Sequence, residues 1–214
     1  MMSAMRFPIA PLLLAALIPL GLPAFADDEK PATELIQEPQ LQPAPGTGSL
    51  TLAPRESRLK DLFSRLKREG NPDAAKTIAG EIRAVLTESE SATVDLLMGR
   101  AATAIAAGQN AAAFDYLDQV TILRPDYAEG FNLRATLHFA LGNNRKSVSD
   151  IRKTLAIEPR HLGALSGLAG ILTLEGRDEA ALKVWEAYLN LYPADRTAQD
   201  QARDLLEKIA GSRT

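Results

Sequence analysis

The side chains that could do chemistry in this sequence are few. In 214 residues there is no cysteine, and the only histidines are His138 and His161. Without Cys there are no thiolate nucleophiles, no disulfides, no Cys-based zinc sites and no lipid anchor on a cysteine. Neither histidine has a carboxylate or a second histidine at ligand spacing, and a metal or catalytic site needs convergent groups. His138 therefore reads as a packing residue between helices, and His161 as a residue at a helix start. The phosphate-loop, dinucleotide, nucleophile-elbow and H-E-x-x-H patterns are all absent. Gly163, Gly167 and Gly170 are close together, but they fall inside a helical stretch and not in a phosphate-cradling loop. The expectation is a non-enzyme with no cofactor and no metal. Two arginines stand apart from the ordinary surface charge: Arg100 and Arg134 lie 34 residues apart. They either pair with acids such as Asp118 and Asp150, since a buried guanidinium requires one, or face a ligand carboxylate.

Bulk composition narrows the function class. Lys+Arg is 24 against Asp+Glu 27, a formal charge of -3. That mild acidity argues against a nucleic-acid binder that works by neutralising phosphates. Hydrophobic residues make up 46% of the chain, enough for a buried core, and the length allows one domain or two small ones.

The beginning of the chain reads as an address. Arg6 is followed by an apolar stretch from Phe7 to Leu22, then Ala24-Phe25-Ala26, then Asp27-Asp28-Glu29. A cationic start, an apolar middle and an A-x-A end compose a secretory signal peptide. The apolar stretch is shorter than the roughly 20 residues that span a bilayer, and Pro8, Pro11, Pro19 and Pro23 interrupt it. Residues 1–26 are expected to be cleaved, leaving a bacterial periplasmic protein with no membrane span. Residues 27–54 hold Pro31, Pro39, Pro43, Pro45 and Pro54 without helical or strand period, so they read as an extended spacer.

From residue 55 to 210 the pattern is helical. Leu59, Leu62, Phe63 and Leu66 form one apolar stripe, Gly70-Asn71-Pro72-Asp73 breaks it, and Ile78, Ile82, Val85 and Leu86 form another. A beat of 34 residues follows, in the columns Gly108/Gly142/Gly176, Pro125/Pro159/Pro193, Ala101/Ala135/Ala169 and Leu123/Ile157/Leu191. Each column has a physical reason. The glycine ends a first helix where a left-handed φ is often needed. The alanine lets a second helix approach, and the proline stops that second helix. Each unit is then helix, turn, helix, stop, and such units bury their apolar faces only by stacking.

This pattern resembles the tetratricopeptide repeat (TPR) family. The resemblance implies an all-α solenoid of helical hairpins with repeats at 94–127, 128–161 and 162–195. Residues 56–90 resemble a degenerate repeat, set off by a four-residue insertion around Glu88–Ser91, and residues 196–210 a capping helix. In that helix Leu205, Leu206 and Ile209 are expected to cover the last unit. Departures from the family occur at Leu97, Phe131 and Leu165 in place of Trp, and at Ala104, His138 and Leu172 in place of Tyr. Arg100 and Arg134 replace Leu, and aromatic packing moves to Trp185 and Tyr188.

First helices of TPR arrays line a concave surface that holds a partner segment. Carried over by position, that groove is Asp95, Met98, Ala102 and Ile105, then Glu129, Asn132, Thr136 and Phe139, then Gly163, Ser166, Gly170 and Thr173. Met98 and Phe139 are the candidate apolar anchors. Columns that form a Lys, Arg and Asn carboxylate clamp in chaperone-tail binders hold Met98, Ala102, Leu133, Gly163 and Gly167 here, so that specificity is not implied. The resemblance and the address together imply a protein- or peptide-binding scaffold in envelope assembly or integrity. The alternatives are an accessory subunit of an envelope enzyme complex, or glycan binding. Partner identity and oligomeric state have no signal in the sequence.

Overall fold

A computed structural model describes residues 54–211. The expected signal segment 1–26, and the spacer up to residue 53, lie outside the described residues. Among the described residues there are nine α-helices and no strand: α1 (Arg55–Arg68), α2 (Pro72–Thr87), α3 (Ala92–Ala106), α4 (Asn110–Leu123), α5 (Ala128–Ala140), α6 (Asn144–Ile157), α7 (Leu162–Leu174), α8 (Asp178–Leu191) and α9 (Arg196–Gly211).

Local chemistry sets the helix ends. Asn71 caps α2, its side chain accepting the amides of Asp73 and Ala74, with Pro72 at the first helical position. Gly108, Gly142 and Gly176 take φ of +69°, +73° and +69°. Each closes a first helix with the same pair of turn bonds. At α3 the Gln109 amide donates to the Ala104 carbonyl at 2.8 Å, and the Gly108 amide to Ile105 at 3.0 Å. The expected left-handed turns are therefore present at all three glycines.

Helices α3/α4, α5/α6 and α7/α8 pair as hairpins, and α4 on α5, α6 on α7 and α8 on α9 stack them in order. Ala101, Ala135 and Ala169 are buried at the crossings, as their column requires. Trp185 and Tyr188 meet edge to face with ring centroids 5.5 Å apart. On α9 the buried stripe is Ala198, Ala202 and Leu205, with Ile209 half-buried. Leu206 does not cover the last unit as expected: it is 53% exposed, because it sits one residue past that stripe.

The hairpin expected from residues 56–90 forms as α1 and α2, but it is not seated as a fourth repeat. Its helix contacts run to α8 and α5, and its packing on α3 falls short of the α4–α5 and α6–α7 junctions. Leu59, Leu62, Phe63, Leu66 and Ile82 share one core with Leu165, Leu172, Trp185, Tyr188 and Tyr192. Polar ties fix it to the links between units. The Tyr127 hydroxyl donates to the Thr87 carbonyl at 2.7 Å, and Arg124 donates to the Ser89 carbonyl at 2.6 Å. Arg160 lies over the Phe63 ring at 4.8 Å and pairs with Glu56 and Glu158.

One column gives the steric reason. The position 34 residues after Leu96 is Gly130, and 34 further is Ala164. A Cβ at Gly130 would stand 2.6 Å from Cγ1 of Val120 on the preceding helix, so the junction needs a small residue there. At α3 that place holds Leu96, which is 55% exposed. A preceding helix in the same geometry with a branched residue at the place of Val120 would collide with it.

Candidate functional site

The strip formed by the first helices α3, α5 and α7 holds the twelve positions expected to form a groove, and they are not equally available. Asp95 accepts a hydrogen bond from the Ser89 hydroxyl. Met98 and Ile105 are half-buried and pack into the core beneath α3 and α4. Ala102, Thr136 and Phe139 are exposed, Phe139 at 42%. The hydroxyls of Thr136, Ser166 and Thr173 are spent on backbone carbonyls of Asn132, Gly163 and Ala169 in their own helices. What the strip offers is therefore apolar surface and bare backbone more than polar groups.

Glu129, Asn132 and Gly163 gather around a residue not placed in the groove by sequence. His161 Nε2 lies 2.9 Å from the Glu129 carboxylate, while its Nδ1 accepts the Ala164 amide at 3.1 Å and caps α7. With Nδ1 accepting, the ring proton sits on Nε2 and is donated to Glu129. Asn132 also donates to Glu129, at 3.3 Å. A Cβ at Gly163 would touch the His161 ring at 3.4 Å. The available clue was position, since a histidine just before a helix is placed to cap it.

The three glycines of α7 have different surroundings. A Cβ at Gly167 would meet Ile151 of α6 at 3.6 Å, ordinary contact, whereas one at Gly170 would meet nothing within 4 Å. Gly170 thus opens the floor of the strip, while Gly167 faces the neighbouring helix.

The two arginines of the repeated column separate. Arg134 is held by Asp150 through Nε at 2.8 Å and Nη2 at 2.7 Å, by Asp118 through Nη1 at 2.7 Å, and by the Thr121 hydroxyl at 3.0 Å. Those bonds raise its pKa above the ordinary guanidinium value. Its role is structural, stitching α4, α5 and α6. The expectation of acid pairing fails for Arg100, which no acid pairs with among the described residues. Asp118 and Asp150 stand 16 residues to either side of Arg134; beside Arg100 the later place is held by Tyr116, and the insertion around Glu88–Ser91 puts Gly80 at the earlier one.

His138 packs on Phe114 with ring centroids 4.5 Å apart, and burial pushes its imidazole below the ordinary value. Its Nδ1 is buried without a partner. Among the described residues no three His, Asp or Glu side chains converge as a metal site would require. No helix there is long and apolar enough to cross a membrane.

No family model matches the sequence. Solved structures similar in fold include the first TPR of Spaghetti (RPAP3) bound to an HSP90 peptide. It has a TM-score of 0.51 and 20% identity, covering 55% of this chain and 96% of that one. The Sgt2 TPR domain from Aspergillus fumigatus gives a TM-score of 0.52 at 18% identity, covering 57% of this chain and 83% of that one. A TPR repeat-containing protein of Rhizobium etli is 57% identical over 159 residues, which are 74% of this chain and 78% of that protein. On the stacked hairpins, their glycine turns and this relative, the chain belongs to the TPR repeat-containing proteins.

Proposed function

We propose that this protein is a non-catalytic scaffold that holds a segment of another protein along the α3–α5–α7 strip. It works in the periplasm, in support of envelope assembly or integrity. The observation that carries the binding reading is the accessible part of the strip, with Phe139 exposed on α5 and open space beside Gly170 on α7. An apolar anchor beside accessible backbone suits an extended segment that fixes itself by shape. The Spaghetti domain is solved with an HSP90 peptide, but the Lys, Arg and Asn clamp of chaperone-tail binders has no counterpart in the groove columns here. The partner therefore need not end in a carboxylate. The address rests on the three-part pattern of residues 1–26 and on the absence of cysteine.

Replacement of Gly170 by Leu tests the groove. The added Cβ meets nothing within 4 Å and the change removes a helix-weakening glycine, so the fold should survive. A photocrosslinker at position 139 in intact cells should capture a partner in the parent chain and lose it in the Gly170→Leu variant. Undiminished capture would move the site elsewhere. For the address, the exported form should begin at Asp27, and recovery with Met1 in the membrane fraction would contradict it.

A further inference from the structure

We infer that the outward face of α3 is a second docking surface, for an amphipathic helix of another protein that presents a carboxylate to Arg100. The face is exposed along Leu96, Gly99, Arg100 and Thr103. With Asp95 and Tyr116 these residues line an open cavity of about 520 Å³. Asp95 is turned to the Ser89 hydroxyl, and among the described residues no ion pair joins it to Arg100.

The protein contains its own template for what such a face accepts. At the next unit, α4 lies on α5 with Asp118 and Thr121 both bonded to Arg134, and Val120 lies against Gly130. Arg100 occupies the place of Arg134 one repeat earlier, and among the described residues no helix supplies the acid. The helix that precedes it in sequence, α2, carries Gly80 at that register once the insertion around Glu88–Ser91 is counted, and packs toward α5 instead. The charge is left for an outside carboxylate, which a bidentate guanidinium suits.

Two differences from the template define the occupant. Leu96 stands where α5 has Gly130, so the incoming helix must be small at the point where α4 has Val120. Thr103 stands where α5 and α7 have the buried Leu137 and Ile171, and its hydroxyl is bonded to the Gly99 carbonyl. A less apolar face favours a partner that comes and goes. The recognised helix thus has an acid, a small residue two positions on, and a Ser or Thr three positions on. A second copy is a poor source for it. The exposed helix at the other end, α9, has an acid followed two positions on by a small residue only at Asp200 and Ala202. There Ala202 is buried and Asp200 is paired with Arg203.

The test uses the full chain and a hydrocarbon-stapled peptide of the α4 sequence, residues 110–123, with Val120 replaced by Ala and its helicity checked by circular dichroism. Fluorescence anisotropy should show saturable binding. Arg100→Gln, at an exposed position, should leave the thermal melt unchanged and weaken binding about tenfold or more. Asp118→Asn in the peptide should do the same, and the two changes together should cost no more than either alone. Thr103→Trp should block the face sterically. The inference is overturned if the helical peptide fails to bind, or if Arg100→Gln leaves its affinity unchanged. It is also overturned if light scattering shows the chain self-associating through a contact that Arg100→Gln abolishes, since a second copy would then be the occupant.

Discussion

Asp150 and Asp118 both bind Arg134, yet removing them should have very different consequences. Asp150 is 8% exposed at its side chain and takes two of the guanidinium bonds, while Asp118 is 57% exposed and takes one. Truncating one member of a fully buried ion pair costs about 3–5 kcal/mol, because the other charge is left behind. Arg134 retains 19% exposure, and Asp118 would still hold it after Asp150→Ala, so the cost is discounted to about 2–3 kcal/mol. For a domain of this size that corresponds to a fall of roughly 4–12 °C in melting temperature. Asp118→Ala removes an ion pair at the surface and should cost about 0.5–1 kcal/mol. Urea unfolding of both variants, followed by circular dichroism, measures the difference. Equal losses would refute the assignment of Asp150 as the inner partner. No loss in either would refute the view that Arg134 is a structural stitch.

Three further outcomes are expected. Gly142→Val should cost about 1–2 kcal/mol through the backbone alone, since φ is +73° and nothing stands near an added Cβ; Gly142→Asn should cost less, and an unchanged melt for Val would contradict the left-handed turn. Phe63→Ala should speed hydrogen exchange in α8 and α9 more than in α3 and α4, because its core is shared with the C-terminal units; exchange that rises first in α3 would instead mean a fourth repeat stacked at the start of the array. Burial, which outweighs the nearby Asp150, holds the His138 pKa below its ordinary 6.5, so the unfolded chain binds the extra proton first. Stability from this residue is then full above about pH 6.5 and declines as pH falls below it, and His138→Phe should flatten that decline in urea titrations between pH 7.5 and 5.5.

Much of the architecture was legible because it is built from local rules repeated at a fixed interval. Gly108, Gly142 and Gly176 declare their turns by residue type, since a left-handed φ excludes most side chains. Ala101, Ala135 and Ala169 mark close helix crossings, and the prolines mark where second helices stop. Those constraints act within a few residues, so a linear reading reaches them, and the resemblance to TPR arrays, carried over by position, marked the strip with Phe139 and Gly170 as the expected groove. The placement of α1 and α2 could not be read that way. Their stripes of Leu, Phe and Ile make an amphipathic hairpin in any context, and an apolar face does not specify which other apolar face covers it. The choice was settled by Leu96 on α3, by the apolar face that Trp185 and Tyr188 give α8, and by Arg124, Tyr127 and Arg160 reaching the hairpin from the links between units. The fates of Arg100 and Arg134 divided for the same reason. Identical residues in one column differ only in what the neighbouring helices bring to them: Asp150 becomes a partner of Arg134 when α5 and α6 close their hairpin, and Asp118 only once α4 has stacked on α5.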